Sequence, residues 1–237
     1  MNSHVLDRPI WTSLNSVHAK FSVGSKLARR FRDSISPFAA AQDESAQSLS
    51  KLAELIPEDG SIFVGQANTI VCPPGTGTSM RASVAQMLFD DCEIRLENNP
   101  AIERLSKTDA SDMLALASLT NPGPFEEQTH LLGDFFGVKR DGRLIAMAGE
   151  RLKQPGFTEI SGVCTHPGYQ RQGLGRELCK TLMARILDRK ECPYLHVFTD
   201  NTGAIKLYEE LGFRIRKEIH VAQLEHFSIN LVHIPSW

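Results

Sequence analysis

The residues with the clearest chemical potential are Gln170-Arg171-Gln172-Gly173-Leu174-Gly175-Arg176. From Leu174 onward, Leu174, Leu178, Leu182 and Ile186 recur every four residues and predict one buried face of a helix. A helix start carries unpaired N–H groups and roughly half a unit of positive charge, so it suits a phosphate. Gly173 and Gly175 remove the side chains that would hold an anion away from those groups. Glycine-bearing strand-to-helix turns also occur simply as tight connections. The dinucleotide fingerprint lacks its third glycine and its ribose-binding acid here, and no Gly-Lys-Ser/Thr follows as in nucleotide hydrolases. Cys164 has no His-Asp arrangement around it and is expected to be a buried, inert thiol; His166 and His196 are expected to be structural.

The element that must position the loop is a strand. Thr158 to Thr165 is rich in residues that favour extended backbone, and Pro167 forces a bend before the loop. Upstream, Phe136-Gly-Val-Lys and Leu144-Ile-Ala-Met-Ala148 flank Arg140-Asp141-Gly142-Arg143, a strong hairpin signal. Ile102–Leu105 is expected as an opening strand, Thr108 or Asp109 as a helix cap, and Phe125–Phe136 as a second helix. Downstream, Tyr194–Thr199 is an apolar strand, and Asp200 or Asn201 caps a helix that Gly212 ends. Phe213 onward returns to strand. The predicted order from about residue 102 is β-α-α-β-β-β-α-β-α-β, an α/β (α+β) domain with a mostly antiparallel sheet flanked by helices.

The first half is less regular. Trp11, Leu14, Val17 and Phe21 have amphipathic helical spacing that Leu27–Phe31 continues, and Ser45–Leu55 predicts a second short helix. The cluster Arg29, Arg30 and Arg32 is expected at a solvated helix end. Ser61–Gly65, Thr69–Cys72 and Val84–Phe89 are expected strands, and Pro73–Ser79 a loop. The boundary is placed at about residues 90–99, giving a smaller α/β N-terminal domain over 1–95 and a second domain over 96–237. No polar cluster with catalytic spacing occurs in the first half, so a structural or specificity role is expected there.

Composition narrows the function classes. The chain has 237 residues, 26 basic and 28 acidic, for a formal charge of -2, which offers no nucleic-acid or anionic-membrane surface. Five cysteines without a Cys-x-x-Cys pair argue against a disulfide framework or a structural zinc, and no metal is expected. Asp7 and Arg8 interrupt any signal-peptide pattern and no run approaches membrane-spanning length, so a cytoplasmic location is expected.

Two blocks carry a resemblance. Gln170-x-x-Gly173-x-Gly175 is similar to the acyl-CoA pyrophosphate loop of the GNAT superfamily of N-acetyltransferases. Asn201-x-x-Ala204-x-x-Leu207-Tyr208-x-x-x-Gly212-Phe213 resembles that family's second cofactor-side helix. The similarity covers roughly residues 100 to 225. Gly156 to Pro167 resembles a subgroup with an extra N-terminal half, and residues 1–95 resemble that half less specifically, with a degenerate GNAT-like half as one reading.

The resemblance implies acetyl transfer from acetyl-CoA, as co-substrate, to a primary amine by direct attack. It implies that Val163, Cys164 and Thr165 meet the pantetheine arm, and that Gln170, Arg171, Gln172, Gly173, Leu174, Gly175 and Arg176 meet the phosphates. Asn201 and Ala204 also fall on its cofactor side, in a cleft left where the Thr158 and Tyr194 strands splay apart. Tyr208 matches the family's proton donor to the departing thiolate, against a plain reading as a helix-face tyrosine. Glu159 and Glu150 are the candidates for the base, against a reading as solvated strand-end carboxylates. The acceptor, a small-molecule or peptide amine, is expected near Pro122–Phe125 and Gln154. The alternative is a non-catalytic acyl-CoA sensor or interaction module.

Overall fold

The structure is a computed structural model, and it describes residues 4–90 and 101–227. Two sheets form. A small one joins β1 (Ser22–Gly24), β2 (Ala28–Phe31) and β3 (Ala39–Ala41). The large one contains β4 (Ser61–Gln66), β5 (Thr76–Phe89), β6 (Glu103–Arg104), β7 (Phe135–Arg140), β8 (Arg143–Gln154), β9 (Phe157–Thr165), β10 (Cys192–Phe198) and β11 (Phe213–His226). Its spatial order is β4-β11-β5-β10-β9-β8-β7-β6. All neighbours are antiparallel except β9 and β10, which α4 (Leu174–Asp188) connects as a crossover. The helices α1 (Pro9–Leu14), α2 (Ala46–Ala53), α3 (Ala110–Thr120) and α5 (Thr202–Glu210) complete the set.

Local signals explain most of the second half. Asp141 and Gly142 both take positive φ (50° and 74°), as the tight β7–β8 turn requires. On α4, Leu178, Leu182 and Ile186 are fully buried against the sheet, each worth roughly 1.5–3 kcal/mol. Asn201 caps α5 by accepting from Ala204 N (3.1 Å), and Gly212 (φ 93°) ends it.

Several expectations are corrected. Phe125–Phe136 is not a helix: only a single turn forms at Thr129–Leu132, pinned where the Thr129 hydroxyl donates to Ile35 O (2.7 Å), and β7 begins at Phe135. Ala28–Phe31 is strand rather than helix: β2 pairs with β1 and β3, and Ala28 and Phe31 are buried in separate clusters. Arg29 and Arg30 therefore lie on a strand and bond the Ser22 hydroxyl (2.8 Å) and Leu55 O (3.1 Å). Thr69–Cys72 forms no strand, whereas β5 starts already at Thr76 within the expected loop.

The expected boundary falls largely on residues 91–100, which lie outside the described residues. The parts on either side share one sheet. β5, from the first half, lies between β10 and β11, and β4 flanks β11. The opposite sheet face from α4 is covered by Leu6, Ile10 and Leu14, packed with Leu152 and Tyr194. No helix among the described residues is long and apolar enough to cross a membrane.

Candidate active site

β9 and β10 pair only from Cys192↔Phe157 to Tyr194↔Glu159. Beyond that point each continues without the other, β9 held on its far side by β8 and β10 by β5. A wedge-shaped gap opens between them. Its β9 lip carries the backbone of Val163 and Thr165, and α4 starts just past its end.

The loop into α4 is bare. Gly173 takes φ 80° at the N-cap, where no side chain caps the helix. A Cβ at Gly173 would meet nothing within 4 Å. Among the described residues, no acceptor takes the N–H groups of Gln172, Gly173, Leu174, Gly175 or Arg176. Arg171, at φ 61°, and Gln172 are exposed; Gln170 reaches back to Thr165 O (3.5 Å). Arg176 is partly committed to an ion pair with Glu210. Free donors on the positive end of a 15-residue helix fit a diphosphate group.

A cavity of about 300 Å³ lies in the gap, and Val163, Asn201, Ala204 and Tyr208 line it together. Tyr208 packs edge-on against Phe213 (6.1 Å), and burial raises its phenol well above the usual tyrosine range. Among the described residues its hydroxyl has no protein partner. The first half supplies Ile10, Phe38, Phe63 and Met80 to the same cavity. Pro122 to Pro124 line it as expected, but Gln154 does not: it turns inward and donates to Pro9 O (2.9 Å).

Both expected bases are already engaged by protein partners. Glu159 is fully buried and accepts from Arg151 Nη2 (2.7 Å) and Nε (3.0 Å), Leu152 N (3.1 Å) and His196 Nδ1 (2.7 Å). Although burial alone would raise it, Arg151 and His196 hold its carboxyl far below the usual range. Glu150 is buried away from the cavity, between Lys153 (2.5 Å) and Arg189 (2.6 Å). Cys164 is the inert thiol expected, pushed up to about 11 by burial.

His196, Arg151 and Gln86 were not singled out by sequence as site residues. Arg216 Nε donates to Gln86 Oε1 (2.6 Å), which turns the Gln86 amide nitrogen toward Leu6 O (2.9 Å) and His196 Nε2 (3.0 Å). His196 is thereby an acceptor at Nε2 and a donor from Nδ1 to Glu159. Asp7 closes the row by pairing with Arg216 (2.6 Å). The row crosses five strands, linking the first half of the chain to the cavity wall, where His196 and Arg151 stand. Its sequence signal was weak: single polar residues inside apolar strands, whose partners lie as much as 209 positions away.

The acetyltransferase (GNAT) family model matches residues 96–213. A solved GNAT-family protein from Novosphingobium aromaticivorans is 39% identical, covers 94% of this chain and 99% of its own, and superposes with a TM-score of 0.89. The chain belongs to the GNAT acetyltransferase family. Curated relatives match shorter segments. A mycothiol acetyltransferase of Streptomyces avermitilis is 38% identical over 82 residues, 33% of this chain and 26% of that protein. The N-alpha-acetyltransferase RimI of Mycobacterium tuberculosis is 36% identical over 83 residues, 34% and 51% of the two chains. The chain therefore spans about half or less of these relatives.

Proposed function

We propose that this protein transfers an acetyl group from acetyl-CoA to a primary amine by direct attack. The observation that carries this is one cavity lined by Val163, Asn201, Ala204 and Tyr208, next to a helix start with uncovered N–H groups. In this reading the amides of Gln172 to Arg176 hold the diphosphate. The backbone of Val163 and Thr165 pairs with the pantetheine amides as a peptide adds to a sheet edge. When bound, the thioester supplies the activated acyl group. Tyr208 keeps its proton, because burial raises it, and presents that O–H where the thiolate departs.

No Asp or Glu is among the described residues lining the cavity. The acceptor amine instead sheds its proton on entering apolar walls, since burial disfavours the charged form, and water carries the proton out. The acceptor side of the cavity draws on both halves, with Ile10, Phe38, Phe63 and Met80 from the first and Pro122 to Pro124 and Arg151 from the second. Cys72, Cys164, Cys179 and Cys192 are free thiols, which suits a reducing cytoplasm.

The engaged state of Glu150 and Glu159 favours a second reading, an acyl-CoA sensor without turnover. Thiol release from acetyl-CoA with a panel of amines decides between them. Turnover that Tyr208→Phe removes is the expected result; binding without release from any amine would leave only the sensor.

A further inference from the structure

The cavity wall also speaks to the acceptor. Arg151 is the one formally charged side chain among the described lining residues. Its Nε and Nη2 are taken by Glu159, while its guanidinium lies over the Phe38 ring at 5.0 Å. Among the described residues Nη1 has no acceptor. Gly123, at φ 116°, leaves the space beside Nη1 open: a Cβ there would stand 3.7 Å from it. A held donor with no partner therefore lies in a wall whose apolar part includes Phe38, Phe63, Met80 and Ile219 and whose other polar side chains are Asn121, His196, Asn201 and Tyr208.

Resting on the acyl-transfer reading above, we infer that the acceptor is a small free amino acid or amino amide with an apolar side chain, whose carbonyl or carboxylate oxygen accepts from Arg151 Nη1. An alkyl or aromatic body recovers the burial that these walls offer. A polyamine finds no carboxylate to pair with its second ammonium, and leaving that charge unpaired in an apolar site is costly. The oxygen separates an amino acid from a plain amine of equal size, because an arginine donor aimed at nothing loses its bond.

The test uses the full chain with saturating acetyl-CoA and four acceptors: phenylalanine, phenylalaninamide, phenethylamine and spermidine. Phenylalanine or its amide should exceed phenethylamine in kcat/KM by roughly tenfold or more, the range of one hydrogen bond to a charged donor. Spermidine should be poorest. Arg151→Lys keeps a cation for Glu159 but removes the Nη1 arm, so it should compress the phenylalanine-to-phenethylamine ratio toward one. Calorimetry with N-acetylphenylalanine against N-acetylphenethylamine, without acetyl-CoA, gives the same comparison as binding. Should Arg151→Lys fail to fold, Phe63→Glu supplies the converse: a carboxylate in the wall should raise spermidine relative to phenylalanine. Equal use of phenethylamine, preference for spermidine, or preference for a peptide with the same first residue would overturn the inference while leaving acetyl transfer intact. Absence of acetyl-CoA binding would instead sink the reading beneath it.

Discussion

Two places in this molecule gather polar groups, and they are built on opposite rules. At the start of α4, N–H donors stand without protein partners around Gly173. Across β11, β5, β10, β9 and β8, the row from Asp7 to Arg151 spends nearly every donor and acceptor on a neighbour. Backbone donors left bare wait for a ligand; charges fully paired hold strands together. The contrast explains why Glu159, a carboxylate beside a cleft, is a poor base. Four donors stabilise its anion, so taking a proton would mean giving them up.

Removing a member of the paired row should have the largest effect. Glu159→Ala leaves Arg151 buried without its partner and should cost about 3–5 kcal/mol in denaturant unfolding. A loss below about 1 kcal/mol would show that the row is not structural. His18 offers a subtler version. It is buried, with Nδ1 2.9 Å from the Ser13 hydroxyl and Nε2 donating to Leu132 O (3.0 Å), and burial lowers it from 6.5 to about 4. Because the folded value is the lower one, its contribution is present above about pH 6.5 and is lost as pH falls toward about 4. That is about 3 kcal/mol across the window, and melting curves for His18→Gln should show a flatter slope there.

The cleft should respond in activity rather than stability. Tyr208→Phe keeps the ring on Phe213 and removes the hydroxyl, so turnover should fall about a hundredfold with acetyl-CoA binding retained. Unchanged turnover would show that another donor serves the sulfur. Smallest of all, Glu210→Gln frees Arg176 from a half-exposed pair and should move stability by less than about 1 kcal/mol.

Which parts were legible in sequence follows from how far the information travels. The Asp141-Gly142 turn, the four-residue repeat on α4 and the Asn201 cap depend on neighbours along the chain, and all stand where expected. The glycine loop was legible because bare backbone needs only the absence of side chains. The insertion of β5 between β10 and β11 was not, since it depends on pairing Gln86 with His196 across the whole second half. The expected helix at Phe125–Phe136 failed for a related reason. Leu132 packs into the first-half cluster and the Thr129 hydroxyl bonds Ile35 O, contacts no local period encodes.

The central claim concerns the uncovered donors at Gly173, and a calorimetric titration with acetyl-CoA tests it most directly. The account predicts micromolar binding by the native chain and none by Gly173→Glu, with both proteins melting alike. Binding that survives the glutamate, or a native chain that binds nothing, would contradict it.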